Sequence, residues 1–298
     1  AYVMLFVLLG ALLERFGAGE FFIGLPIALL ARFRGGPAKA AVVSSCLFGM
    51  ISGSATANTV ATGAFTIPMM KRAGYRPATA GAIEAASSTG GMFMPPVMGA
   101  AGFIMASFLN IPYATVVSAA LVPAVLFYAA LLLQVDAYAA KKGLAGLPKD
   151  QLPSLWPTLR AGWPHLGGLI LLVVLILFFH MERTAPFISA GLMALVAIVK
   201  EPRQLLSTLE RIVFESGRSA AYLFGILAGI GLIVGALSIT PPGSSVPREL
   251  IFHAGGHTAL LLIFRAPTTF VPRRGLPAPA HYILPPPILR PTPNSHGP

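Results

Sequence analysis

The stretch from Gly49 to Gly63, Gly-Met-Ile-Ser-Gly-Ser-Ala-Thr-Ala-Asn-Thr-Val-Ala-Thr-Gly, is polar yet lies between two apolar arms. Upstream is Ala40-Ala-Val-Val-Ser-Ser-Cys-Leu-Phe-Gly-Met and downstream is Ala64-Phe-Thr-Ile-Pro-Met-Met. Each arm is about half of the roughly 20 residues that a helix needs to cross a bilayer. Arg32, Arg34 and Lys39 precede the arms, and Lys71, Arg72 and Arg76 follow them. Positive loops mark the cytoplasmic face of a membrane. Residues 40–70 therefore read as a re-entrant helical hairpin that enters the bilayer and returns to the same side. Its Ser/Gly/Asn/Thr tip lies at membrane depth, where irregular backbone survives only if it is buried in protein or lines a polar cavity. Free carbonyls and hydroxyls there suit a small hard cation, which takes oxygen ligands.

Composition supports the membrane reading. Of 298 residues, 55% are hydrophobic and 10% are charged, against about 25% charged in soluble domains. The net charge of +11 sits in short loops between apolar runs rather than on one face. It is read as positive-inside bias, and no nucleic-acid partner is expected. Cys46 is the one cysteine, which excludes an internal disulfide; on an apolar arm it reads as a packing residue. The chain opens directly in apolar residues without a basic start, so it is read as beginning inside a helix, with no cleavable signal.

The expected organisation is a permease domain over residues 1–240 and a Pro/Arg-rich tail, aberrant or disordered, over 241–298. Apolar runs at 1–13 and 21–31 lead to the hairpin. Residues 78–109 exceed one span and are interrupted by Ser87-Ser-Thr-Gly-Gly and Pro95-Pro96. Proline breaks the intrahelical ladder, so this segment reads as a discontinuous helix whose unwound middle faces the hairpin tip. Spans follow at 113–135, 167–179, 186–199 and 220–239, with an amphipathic surface helix at 204–218. Trp156 and Trp163 suit the membrane interface. Counting 40–70 as a single crossing would place Lys71, Arg72 and Arg76 outside, which is the strongest argument for the hairpin. In the tail, Arg248, Arg265, Arg273, Arg274 and Arg290 recur too closely to leave a complete span between them.

Four motifs in order carry a resemblance to a family. They are Gly35-Gly-Pro-Ala-Lys, Gly49-Met-Ile-Ser-Gly-Ser-Ala-Thr-Ala-Asn, Thr66-Ile-Pro-Met-Met-Lys-Arg-Ala-Gly-Tyr, and Ser88-Thr-Gly-Gly-Met-Phe-Met-Pro-Pro-Val-Met-Gly-Ala-Ala. Over residues 1–239 the chain resembles the large membrane subunit of tripartite ATP-independent periplasmic (TRAP) transporters, and the TAXI-type fused permeases fit best. The resemblance implies an all-α polytopic protein of the bacterial or archaeal cytoplasmic (inner) membrane. It implies an elevator-type transporter with inverted repeats, driven by a sodium gradient. An extracytoplasmic solute-binding protein would deliver small organic anions, often carboxylates, and small-subunit helices would be separate or fused upstream. The second repeat should carry a hairpin with Gly-Met-Gly-Leu-Pro at its tip. Here Arg273-Arg-Gly-Leu-Pro stands in its place, without apolar arms, so the second repeat reads as incomplete and the chain alone is not expected to transport.

Ser52, Gly53, Ser54, Asn58 and Thr59 are the expected sodium ligands, with Gly90 and Gly91 of the broken helix lining the same site. Close packing by small residues is the competing reading. Thr62, Ser87, Ser88, Thr89, Pro95 and Pro96 are candidates for substrate contact. Glu84, an ionisable group inside a span, is a coupling candidate. No cofactor beyond the coupling ion is implied, and none of the six histidines pairs at metal-ligand spacing on a regular apolar helix. Without a nucleophile elbow, phosphate-binding loop or paired carboxylates, no enzymatic activity is expected. A passive ion channel and a non-functional permease remnant remain as alternatives.

Overall fold

The computed structural model describes residues 5–200, apart from positions 7, 8, 11, 14, 15 and 149–151, together with isolated positions between 214 and 260. Among the described residues there is no strand. Among the described residues eight helices have both ends defined: α1 (Ala18–Leu30), α2 (Gly36–Ser52), α3 (Ala55–Arg72), α4 (Pro77–Gly91), α5 (Ala100–Leu109), α6 (Tyr113–Lys142), α7 (Leu155–Leu177) and α8 (Ala185–Lys200). By length and hydropathy α6 and α7 suffice to cross a membrane. Contacts divide the chain into one unit of residues 1–102 and 112–220 and another of residues 103–111 and 221–298. Everything below lies in the first. Nearly all of the expected 204–218 helix, most of the 220–239 span and all of the tail except Leu260 lie outside the described residues.

Residues 36–72 form a helical hairpin, as expected, but its anatomy differs from the half-length arms read from sequence. The arms are α2 and α3, of 17 and 18 residues, each about 26 Å long at 1.5 Å per residue. Only Gly53 and Ser54 are non-helical between them. Gly53 takes φ +61°, the left-handed conformation that ends a helix readily at glycine. Ser54 then caps α3, its hydroxyl accepting the Ala57 N–H at 3.3 Å. The polar residues beyond it do not unwind the chain, because their hydroxyls bond back one turn: Thr59 to the Ala55 carbonyl at 2.9 Å, Thr62 to that of Asn58 at 2.8 Å, Thr66 to that of Thr62 at 3.0 Å. Asn58, read from sequence as part of an irregular tip, is therefore helical.

The broken helix shows the same physics. Ser87 and Thr89 donate to the carbonyls of Ile83 and Ala85, so α4 stays helical through Ser87-Ser-Thr-Gly-Gly and the break falls at residues 92–99 instead. Those residues hold a cis Pro95–Pro96 bond and Met98 at φ +55°. The Gly99 N–H folds back onto the Met92 carbonyl at 2.7 Å.

The feet of the hairpin meet at one end of the unit. Tyr75 stacks on Tyr138 of α6, with ring centres 5.8 Å apart. The Gly35 N–H donates to the Leu144 carbonyl at 3.2 Å, and the Leu147 N–H to that of Ala31 at 2.8 Å. Asp136 of α6 binds Arg34 at 2.5 Å and Lys39 at 2.6 Å. Arg32, Lys71, Arg72, Arg76, Lys141 and Lys142 are exposed around this end, as the loop charges require.

Candidate functional site

Helices α2, α3 and α4 pack on one another, and glycine sets how closely. A Cβ at Gly49 of α2 would lie 2.6 Å from the Gly91 Cα of α4, so the two backbones touch. One at Gly63 of α3 would lie 3.2 Å from the Glu84 Cγ, which shows the stem of Glu84 crossing α3 at that residue. The Glu84 carboxyl then reaches side chains of all three helices. Ser45 of α2 donates to Oε1 at 2.7 Å, Thr62 of α3 to Oε1 at 2.5 Å, Thr66 of α3 to Oε2 at 2.5 Å, and Ser88 of α4 itself to Oε1 at 3.2 Å. Four hydroxyls thus surround the roughly four acceptor sites of a carboxylate, those of Thr62 and Thr66 dividing their single proton between Glu84 and the carbonyl one turn back.

Glu84 is fully buried, as are Ser45, Asn58, Thr62, Thr66 and Ser88. Among the described residues both salt bridges go to Asp136, and none reaches Glu84. An acidic group thus sits inside the unit, held by neutral dipoles and without a basic partner among the described residues. Asn58 extends the cluster toward the tip: its Nδ2 donates to the Ser45 carbonyl at 2.7 Å, and its Oδ1 is 3.3 Å from the Thr62 hydroxyl. Thr62 has one proton and four acceptors within reach, Glu84, the Asn58 carbonyl, the Asn58 amide oxygen and the Ser45 hydroxyl. Switching that proton between acceptors is a small rearrangement that would connect Asn58 to Glu84.

The tip itself lies against the break. A Cβ at Gly53 would be 2.9 Å from both the Gly99 Cα and the Met98 carbonyl oxygen, and one at Gly99 would be 2.6 Å from the Gly53 carbonyl oxygen. The break is anchored in turn by Tyr113 of α6, whose hydroxyl is 3.0 Å from the Pro96 carbonyl and 2.5 Å from that of Val97. Ser52, Gly53 and Ser54 are half-buried at this junction, with the Ser54 N–H 3.5 Å from the Ser52 hydroxyl. Pro95 and Pro96 are buried.

The residues singled out from sequence are not all brought together. Asn58, Thr62, Glu84 and Ser88 converge in the interior, and Gly91 faces them from α4. Gly90 points the other way, against Phe127 and Tyr128 of α6. Ser87 offers its carbonyl to the Tyr128 hydroxyl at 2.7 Å. Thr89 is exposed and Thr59 half-buried, and each hydroxyl is spent on its own helix. Two members of the centre escaped the sequence reading, Ser45 and Thr66. Their signal is the four-residue spacing of one helix face: Asn58, Thr62 and Thr66 on α3, Ser45 and Gly49 on α2, Glu84 and Ser88 on α4. The described residues hold no cluster of three His, Cys, Asp or Glu. Any cation held here would be a hard one bound by hydroxyl, amide, carboxylate and backbone oxygens.

Comparison with known proteins gives this arrangement a family. Residues 1–297 match the family model for the DctM component of the tripartite ATP-independent periplasmic transporter. The C4-dicarboxylate TRAP transporter large permease protein DctM of Pseudomonas aeruginosa is 27% identical over 237 residues, which cover 78% of this chain and 54% of that protein. The sialic acid TRAP transporter permease protein SiaT of Haemophilus influenzae is 26% identical over 250 residues, 84% of this chain and 39% of that protein. The 2,3-diketo-L-gulonate TRAP transporter large permease protein YiaN of Escherichia coli is 24% identical over 227 residues, 75% and 52%. The chain thus spans about half the length, or less, of these relatives. Because the match runs through the hairpin, the break and every helix after them, the chain belongs to the DctM-component family of TRAP transporters, whose large permeases are integral membrane proteins and not enzymes.

Proposed function

We propose that this chain is the transport-domain portion of a sodium-coupled secondary transporter that imports small organic anions, carboxylates among them, from an extracytoplasmic solute-binding protein. The observation that carries the reading is the buried centre of Asn58, Thr62 and Glu84, which has no basic partner among the described residues and joins both hairpin arms to α4. A transporter couples an ion to a substrate when the ion alters how such elements hold together. Sodium bound by oxygens around Asn58 and the Ser52–Ser54 tip, with Gly91 letting the α4 backbone approach them, would order the junction between tip and break. Thr62, Ser88 and the Pro95–Pro96 segment would then face the anion. Ser87, Thr89, Thr59 and Gly90 are assigned no ligand role in this scheme, since their groups face other partners.

The hairpin acts as a re-entrant element of an elevator-type, inverted-repeat transporter in the cytoplasmic membrane, working with small-subunit helices. Among TRAP subtypes the TAXI-type permeases fit the four motifs best. The test is reconstitution in proteoliposomes, with those helices and a cognate binding protein, of a relative that carries this hairpin and a complete second repeat, since the chain alone is not expected to transport. Saturable uptake that follows an imposed sodium gradient supports the proposal. Unitary ion conductance without saturable uptake would favour a channel instead. Cysteines at Gly36 and Gly74, in a Cys46→Ala background, are expected to label from the same side of the membrane, and labelling from opposite sides would remove the hairpin topology.

A further inference from the structure

Helix α7 carries an exposed arginine, Arg160, near its start. α7 begins beside the C-terminus of α1, since Leu152 packs near Ala31. It then runs back along α1, with Thr158 beside Gly24 and Gly162 against Phe21. Gly162, His165, Leu169, Leu172 and Ile176 are buried on the inner side. Trp156, Arg160 and Trp163 are exposed on the outer side. At 100° per residue these three fall within about 60° of arc, so they form one stripe, and Ile170 continues it toward the apolar half of the helix. Trp156 is 73% exposed, Trp163 61% and Ile170 59%.

Arg160 sits about one and a half turns into the helix. The described acids offer it nothing. Asp136 is taken by Arg34 and Lys39, Glu182 accepts the Ala114 N–H, Glu84 is buried in the centre above, and Glu20 forms no ion pair with it. An arginine with no acidic partner among the described residues is costly at membrane depth, and the cost falls if the guanidinium meets an anion at the level of the headgroups. Indole rings favour that same level, and guanidinium forms paired hydrogen bonds with phosphate oxygens. The end of the unit where α7 starts also carries exposed Arg32, Lys71, Arg72, Arg76, Lys141 and Lys142, which attract acidic lipid.

We propose that the Trp156, Arg160 and Trp163 stripe of α7 is a binding site for an anionic phospholipid, with the headgroup phosphate on Arg160 between the two indoles and an acyl chain along Ile170. It rests on the unit being membrane-embedded, not on sodium coupling or on any substrate. The chain has two tryptophans in all, and both lie on the stripe, so selectively excited tryptophan fluorescence reports this site alone. The experiment places the purified 298-residue chain in nanodiscs of unbrominated phosphatidylcholine. Tail-brominated phosphatidylglycerol or tail-brominated phosphatidylcholine is then titrated in as quencher. The glycerol lipid is expected to reach half-maximal quenching at about a five-fold lower mole fraction, the factor that one basic residue near an acidic surface supplies. Arg160→Gln should abolish the preference, and Arg160→Lys should keep part of it. Arg183→Gln, a change in the turn between α7 and α8, should leave it intact. Equal quenching by the two lipids in the unmodified chain would overturn the proposal, as would a preference that survives Arg160→Gln. Absence of quenching by either lipid would also overturn it, because protein would then cover the stripe.

Discussion

The interior shared by α2, α3 and α4 and the interface between α7 and its neighbours are both buried helix packing, yet they are held by different forces. In the first, backbones touch at Gly49 and Gly91, and the space between helices is filled by Ser45, Asn58, Thr62, Thr66, Glu84 and Ser88, all hydrogen-bonded. In the second, large apolar side chains fill the gap. Phe21 covers Gly162, Met193 of α8 lies over Gly168, and Leu172 and Ile176 are fully buried. Apolar packing of that kind tolerates volume-conserving change. A saturated polar network does not, because each lost partner strands another group. The difference separates a region whose parts must hold one arrangement, or switch between two, from a region that serves as support.

The comparison is broken most sharply by the glycines. Gly49→Leu forces a side chain into the Gly91 backbone and should destabilise the chain by more than about 3 kcal/mol, above the usual overpacking range because backbone cannot step aside. Gly167→Leu in α7 meets open space and should be neutral or stabilising by up to about 1 kcal/mol through helix propensity. Thermal melts in detergent read both, and equal losses would erase the contrast.

Next in size is Glu84→Ala. It removes the acceptor that Ser45, Thr62, Thr66 and Ser88 share, leaving Thr62 and Thr66 only the carbonyls one turn back, and about 2–3 kcal/mol of stability should go with it. Combining it with Thr66→Val should cost clearly less than the sum of the two single changes, since they share one interaction. Strict additivity would show that the network is not coupled. By contrast, Leu172→Met at the α7 interface should cost less than about 1.5 kcal/mol. The smallest expected effect is at the foot of the hairpin. Asp136→Asn removes the partner of Arg34 and Lys39, but the pair is partly exposed and screened by salt. Its loss should be visible at low ionic strength and fade as salt is added. A large loss that persists at high salt would place a stability determinant at the foot rather than at Glu84.

How far the sequence could be read also follows this contrast. The hairpin was legible because basic residues flank it on both sides, and the break because Pro95-Pro96 forbids a continuous ladder. The length of the arms was not, since Thr and Ser look like breakers until their hydroxyls are seen bonding back to the preceding turn. The same effect hid the helical run through Ser87 and Thr89. Thr66 and Ser45 were overlooked because polar residues in an apparently apolar arm carry no meaning until the facing helix is known. The start of α7 was placed at residue 167, although the helix begins at Leu155. Trp156, Pro157 and Arg160 resemble a loop, but proline is tolerated in a first helical turn, where its missing N–H has no partner to lose.

The measurement that bears most directly on the polar interior as an ion site is equilibrium binding of radiolabelled sodium to the purified chain, compared with Asn58→Ala. Asn58 lies beside the tip and ties the Ser45 carbonyl to Thr62, so its loss should weaken saturable sodium binding between about 5- and 150-fold, the range of one to three kcal/mol of coupling. Arg160→Gln, far from that centre in the chain, should leave it unchanged. If the Asn58→Ala chain, folded and of normal melting behaviour, binds sodium as tightly as the unmodified one, or if the unmodified chain shows no saturable sodium binding, the interior is a packing device and not an ion site.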